Sequence, residues 1–260
     1  MTVRENARYI VEVLKASLRV DLSFRGSWVM DLLSRSVTFL VTLLFFNRLY
    51  AGRTVVAGLT WEEMMVLLGT YQRVRALSDT LFGEVNDLCL KVEEGTLDFV
   101  LLKPLNPRLL VSFGRVRTTR LLDVAIAVLL VLKGAGSGVR MACWGSYVVL
   151  VVLGAWIKYC LSFCLNCTTF WFLEVYGLYG LFDQIFDLAR YPSAVFRGLS
   201  RILFSYVLPV AALANLPTMA LIQGPTVSHF VRLALHAVVW FFSGQLLWAA
   251  GTKGYTSASS

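Results

Sequence analysis

The feature that most constrains this chain is a run without charge. From Met141 to Ile157 no charged residue occurs, and the run ends in YVVLVVLGAWI, Tyr147 to Ile157. A stretch of about 20 such residues has the length of a helix that crosses a hydrocarbon core. Similar stretches recur at 27–46, 61–82, 110–132, 141–160, 161–186 and 228–250. The spacing predicts an all-α polytopic membrane protein with six transmembrane helices in one transmembrane domain. Composition agrees: 57% of the 260 residues are hydrophobic and 15% charged, whereas soluble domains carry about 25% charged residues. A soluble enzyme, a secreted disulfide scaffold and a disordered chain are excluded as classes.

The segments between spans set the organisation. Residues 1–26 read as an amphipathic interfacial helix. Tyr9, Ile10, Val13, Leu14 and Leu18 recur at helical spacing beside Arg4, Arg8, Lys15 and Arg19. No cleavable signal sequence is expected. Spans one and two fill 27–82. Span one carries Asp31 and Arg35 at i, i+4, and span two is interrupted by Arg73, Arg75 and Asp79, so it belongs inside a bundle with its Arg end toward the cytosol. Residues 83–109 alternate apolar and charged positions and read as one or two short helices outside the bilayer. Spans three to five occupy 110–186, with Arg115, Arg117 and Arg120 at one end of span three. Residues 187–225 are apolar but broken by Pro192, Pro209, Pro217 and Pro225, which predicts a re-entrant hairpin. Span six covers 228–250, and 251–260 form a tail.

The 24 Lys and Arg residues outnumber the 16 Asp and Glu. In a polytopic chain this excess points to cytosolic loops and anionic lipid rather than to nucleic acid. Its distribution places both termini and 83–109 in the cytosol, with Lys158 on that side and Arg190 on the other. Cys160, Cys164 and Cys167 share a helical face, but no His or carboxylate completes a metal set in sequence, so packing is expected and no metal site.

No catalytic constellation is visible. Gly251-Thr-Lys253 lacks the glycine spacing of a phosphate-binding loop, and no GxSxG or HExxH occurs. His229 and His236 lie two turns apart without an acidic partner, and Glu93, Glu94 and Asp98 form a surface acid cluster. A transport permease driven by a separate ATPase fits best. Its segment 83–109 would receive the ATPase by laying an apolar face into a groove. Two other classes stay open. One is a lipid-modifying membrane enzyme using Asp183 and Asp187; the other is an ATP-independent carrier or channel, for which 27–132 and 143–250 show no inverted repeat. Tyr71, Arg73, Asp79, Glu174 and Asp183 are the intramembrane polar residues that would line a translocation path. Internal pairing, for instance Arg73 with Asp183, is the other account of them.

The segment Glu94-Gly-Thr-Leu-Asp-Phe-Val-Leu-Leu-Lys-Pro104 resembles the G-x-L-D-x-x-L-x-[KR]-P stretch of a group of ABC-2 exporter permeases. Tyr191-Pro192 with Arg201 and Pro209, and the ending Gly254-Tyr255-Thr256-Ser257-Ala258, are similar to further stretches of that group and occur in the same order. The resemblance implies six spans, cytosolic termini, a coupling helix between spans two and three and a re-entrant pair before span six. It implies a cell inner-membrane exporter with a second permease, the same chain or a homologue, and two ABC ATPase subunits. ATP and Mg would sit on the ATPase, and this chain would bind no cofactor. Asp87, Lys91, Glu93, Glu94, Gly95, Leu97, Asp98, Leu101, Lys103 and Pro104 would be the ATPase-coupling residues. Tyr191, Pro192, Arg201, Pro209 and Pro217 would shape the hairpin.

Overall fold

The computed structural model describes residues 12–13, 15–17, 19, 25–114, 116, 120–136, 139–172 and 176–255. Most of the expected surface helix therefore lies outside the described residues. Within it Ser17 is buried, and its Oγ accepts a hydrogen bond from the Val116 amide (3.0 Å).

Helix α1, Arg25–Tyr50, leads into an antiparallel hairpin of β1, Val55–Val56, and β2, Leu59–Thr60. This hairpin occupies the gap between the expected spans at 27–46 and 61–82. The hairpin closes because Ala57 (φ 51°) and Gly58 (φ 82°) are both left-handed, as a type I′ turn requires. Helix α2, Trp61–Phe82, starts at a capping box: the Glu63 amide donates to Thr60 Oγ1 (3.3 Å) and the Thr60 amide to Glu63 Oε2 (2.8 Å). A 3₁₀ turn, Gly83–Asp87, then leads to the short helices α3, Leu88–Glu93, α4, Leu97–Leu101, and α5, Pro107–Ser112. Helix α6 is Arg120–Ala135 and α7 Met141–Cys167. Helix α8, Tyr176–Phe186, is followed by 3₁₀ turns, the single turn α9, Leu199–Ile202, and a π-helical turn, Leu203–Val207. Helix α10, Val210–Ile222, and α11, Val227–Gly254, complete the described chain.

Among the described residues three helices are long and apolar enough to cross a membrane: Trp28–Tyr50, Met141–Phe170 and Val227–Gly254. Leu199–Val207 with Val210–Ile222, bent by 76° at Pro209, makes up to four. This corrects the sequence reading at several places. Span three is not one helix, because the backbone leaves helical geometry at Phe113 (φ −118°, ψ 32°) between α5 and α6. The boundary expected at Cys160 does not exist. Helix α7 runs through Lys158 to Cys167, since that lysine is neutralised in place by Asp79 rather than drawn to the surface.

Helix α2 is the centre of the bundle and packs against α6, α7 and α10. Small residues allow the closest approach. A Cβ added at Gly69 would lie 2.7 Å from Val131 Cγ2 and 2.9 Å from the Ala127 carbonyl, and one at Gly134 would lie 2.5 Å from the Glu62 carbonyl. Pro217, inside α10, has no N–H for the Leu213 carbonyl, and Gly154 of α7 lets the backbones meet there, with 3.1 Å from its added Cβ to that oxygen. A second, smaller core joins Val85, Leu88, Val92, Leu97 and Val111 to Phe163, Cys167 and Trp248 at the ends of α7 and α11. Along helix α1, Val29, Leu33, Val37, Leu40, Val41 and Leu44 form an exposed apolar stripe, and α11 carries another through Val231, Leu235, Val238, Phe242 and Leu246. Cys89, Cys143, Cys160, Cys164 and Cys167 are buried and joined in no disulfide.

Candidate functional site

Helical spacing puts Tyr71, Arg75 and Asp79 on one face of α2. Asp79 is the hub of a buried ionic assembly. Lys158 Nζ of α7, 2% exposed, donates to its Oδ1 at 2.6 Å, while Arg120 of α6 lies 3.2 Å and Arg75 3.9 Å from Oδ2. Arg75 also pairs with Asp183 of α8 and with Asp187 of the following turn. Tyr71 Oη accepts from Arg75 (2.7 Å) and donates to Asp187 Oδ1 (2.5 Å). Toward α1 the chain of charges continues through Asp123, 3.7 Å from both Arg120 and Arg35, to Asp31, 2.9 Å from Arg35. Arg190 stands 4.0 Å from Asp187. Asp31, Asp79, Asp123, Asp183 and Asp187 thus balance Arg35, Arg75, Arg120, Lys158 and Arg190. Burial of charges at this depth is tolerable only with such pairing.

A cavity of about 290 Å³ opens beside this assembly. Helix α1 contributes Asp31, Ser34, Arg35, Thr38 and Thr42, a polar stripe on the side opposite its apolar one. The far wall is Tyr71, Gln72 and Arg75 of α2 with Arg120 and Asp123 of α6, and Asp187 and Arg190 close one end. Tyr71 is near the middle of α2, so at 1.5 Å per residue it lies about 15 Å from either end. The polar stripe of α1 runs from near that helix's start past its centre. The cavity therefore reaches from near one end of the helices to their middle.

Of the residues expected to line a path, Tyr71, Asp79 and Asp183 come together here. Arg73 does not. Two residues before Arg75, and so about 200° around the helix, its guanidinium lies over the Tyr147 ring at 5.3 Å. The pairing proposed for Arg73 with Asp183 is made by Arg75 instead. Glu174 lies outside the described residues, as do Arg115 and Arg117. Lys158 and Arg190, read from sequence on opposite sides, both belong to this one connected assembly of ion pairs. Sequence reasoning missed the ionic roles of Arg75, Arg120, Asp123 and Lys158. The usable signal was Lys158 itself, a lone charge in the most apolar run, which had to have a partner. Asp183 and Asp187, the pair a membrane metalloenzyme would need, both bind Arg75. Among the described residues no three His, Cys, Asp or Glu side chains group as a metal site.

The stretch after α2 forms a second surface. Leu88, Val92 and Leu97 point into the smaller core, and the left-handed Gly95 (φ 69°) turns α3 into α4. Lys91 pairs with Glu84 at 2.6 Å. Leu97 is therefore an anchor and offers no outward surface. Glu93, Glu94, Lys103 and Pro104 are exposed, Asp87, Lys91, Asp98 and Leu101 are half-buried, and Gly95 is buried. Beside them stand Leu90, Phe99 (69% exposed) and Leu102 (81% exposed). These large apolar side chains stand open on a segment that is itself anchored to the ends of α7 and α11.

The broken segment is held by one side chain. Asn215 of α10 accepts from the Ser193 amide (2.9 Å) and donates to the Tyr191 carbonyl (3.1 Å), satisfying the backbone on both sides of Pro192. Pro209 occupies the 76° bend, Pro217 is buried in α10, and Arg201 is exposed on α9.

Compared with known proteins, residues 36–259 match the family model described as ABC-2 family transporter protein. No curated protein and no solved structure matches the chain.

Proposed function

Because the chain belongs to the ABC-2 family of transporter proteins, we propose that it is the membrane subunit of an ATP-driven exporter. It is a multi-pass membrane transport permease. In our reading it works as a pair, with itself or a homologue, and two ABC ATPase subunits supply ATP hydrolysis and hold ATP and Mg. The six spans are α1, α2, α5 with α6, α7, α8 with the broken stretch after it, and α11. Both termini and the segment 83–104 face the cytosol of an inner membrane.

The observation that carries this reading is the exposed apolar surface of α3 and α4. Leu90, Phe99 and Leu102 stand exposed on a segment whose Leu88, Val92 and Leu97 are locked into the ends of α7 and α11. A surface of this kind transmits force, because pushing on it moves long helices rather than a loop. An apolar face rimmed by Glu93, Glu94 and Lys103 suits helix-in-groove docking. The charged cavity beside α1 would be part of the route taken by cargo, close to the face that a second permease would cover.

The test is a mild-detergent pull-down of the tagged full chain from its native host, with bound proteins identified by mass spectrometry. A P-loop ATPase, with or without a second multi-span permease, is expected. Recovery of the chain alone, with phospholipid turnover in the eluate, would overturn this reading in favour of a lipid-modifying enzyme.

A further inference from the structure

We propose that the cavity beside α1 binds a phosphate group, and that the molecule bearing it enters from the lipid flank of that helix. The proposal rests on the permease reading only in taking that molecule as cargo.

The pairs around the cavity differ in tightness. Behind its α2 wall, Lys158 holds Asp79 at 2.6 Å, and Arg75 is engaged by Asp183, Asp187 and Tyr71. On its walls Arg35 has one close partner, Asp31 at 2.9 Å, and Arg120 has Asp79 at 3.2 Å, and the remaining contacts are loose. Arg35 and Arg120 each stand 3.7 Å from Asp123, and Arg190 stands 4.0 Å from Asp187, whose other oxygen is taken by Tyr71 and Arg75. These separations exceed hydrogen-bond distance. The Nε atoms of Arg35, Arg120 and Arg190 are buried and have no hydrogen-bond partner. Two carboxylate oxygens, Asp79 Oδ2 and Asp123 Oδ2, also lack a hydrogen bond, but each already lies within 3.9 Å of two arginines. The unmet need is for acceptors.

Three guanidinium groups from three different elements, α1, α6 and the turn after α8, face this one space. A carboxylate offers two acceptor oxygens, whereas a phosphate offers three and pairs with guanidinium groups in bidentate fashion. A volume of about 290 Å³ accommodates such a group and a short linker, at the low end of small-ligand sites. Binding would break none of the tight pairs made by Lys158 and Arg75. The route in follows from α1. Its polar stripe lines the cavity while Val29, Leu33, Val37 and Leu40 on the other side are exposed. An amphiphile could leave its tails against that helix and its phosphate inside.

The chemistry is shared by a lipid headgroup and by a free phosphate, and the experiment separates them. The full chain in mild detergent is titrated, by native mass spectrometry, with dioctanoyl phosphatidic acid, with dioctanoylglycerol (the same tails without phosphate) and with inorganic phosphate. Phosphatidic acid is expected to bind at least about tenfold more tightly than dioctanoylglycerol, the size of one charge-assisted hydrogen bond. Arg190→Gln and Arg35→Gln should each cost about tenfold, while Arg190→Lys retains most of the affinity. Arg73→Gln, the same charge change on the other face of α2, should leave binding unchanged and controls for general loss of charge. Equal binding by inorganic phosphate would keep the site and assign it to a soluble phosphate. Equal binding of the two lipids, with no phosphate binding, would overturn the proposal. So would full affinity in both Gln variants when the thermal midpoint shows them folded. Phosphate binding by a chain that recovers no ATPase would leave this site standing while the permease reading fell.

Discussion

Lys158 and Asp79 show what a single residue can dictate at membrane depth. The ammonium is 2% exposed and its donor distance to Asp79 is 2.6 Å. Removing one member leaves the other buried without its closest counter-charge, which costs about 3–5 kcal/mol. Lys158→Met should therefore lower the thermal midpoint in detergent markedly, and Asp79→Asn should do the same. The double variant should recover part of the loss, because neither charge is then left buried without the other. A double variant no better than the worse single one would show that Arg120 and Arg75, not Lys158, hold Asp79. The same logic explains what could be read from sequence at this scale. That α2 is polar for a reason was legible from Arg73, Arg75 and Asp79. Which arginine turns inward depends on the rotation of α2 against α8, and a two-residue difference reverses the face.

At the scale of elements, approach distances decide more than hydropathy. Gly69→Val places a branched side chain where even a Cβ would be 2.7 Å from Val131. Overpacking costs about 1–3 kcal/mol where neighbours can move, and here the neighbour includes the Ala127 carbonyl, so loss of the folded chain from the membrane fraction is the expected result. Gly145→Val, at a glycine with open space around it, is the matched control. Asn215→Leu makes a different prediction. It removes the partners of the Ser193 amide and the Tyr191 carbonyl, so hydrogen exchange at Ser193 should accelerate while α2 and α7 keep their protection. Unchanged exchange at Ser193 would mean that Pro192 alone sets this break. Element positions were partly visible beforehand: the apolar stretch over 61–82 gives Trp61–Phe82, and the uncharged run fixes the start of α7 at Met141. The end of α7 was not visible, because a lysine normally ends a span and here a partner on another helix cancels it. The broken stretch after α8 was legible as broken from its prolines, but Asn215, which holds it, carries no local signal.

For the whole molecule, the division of labour is between a cavity at the middle of the helices and an anchored surface at their ends. The sequence motif over 94–104 covers part of that surface, yet its fixed positions include Leu97, which faces inward, while Phe99 and Leu102, which face out, fall at its variable positions. Amphipathic alternation names two faces of a short helix without saying which one the rest of the chain covers. The central claim is that this surface receives an ATPase. Photo-crosslinking in the native membrane tests it most directly, with a crosslinker replacing Phe99, Leu102 or Leu97 in separate full-length chains. Positions 99 and 102 should yield adducts with one P-loop ATPase, and position 97 should yield none. Adducts absent from all three positions, while exposed positions of α1 such as Leu40 crosslink efficiently to protein other than an ATPase, would contradict the account.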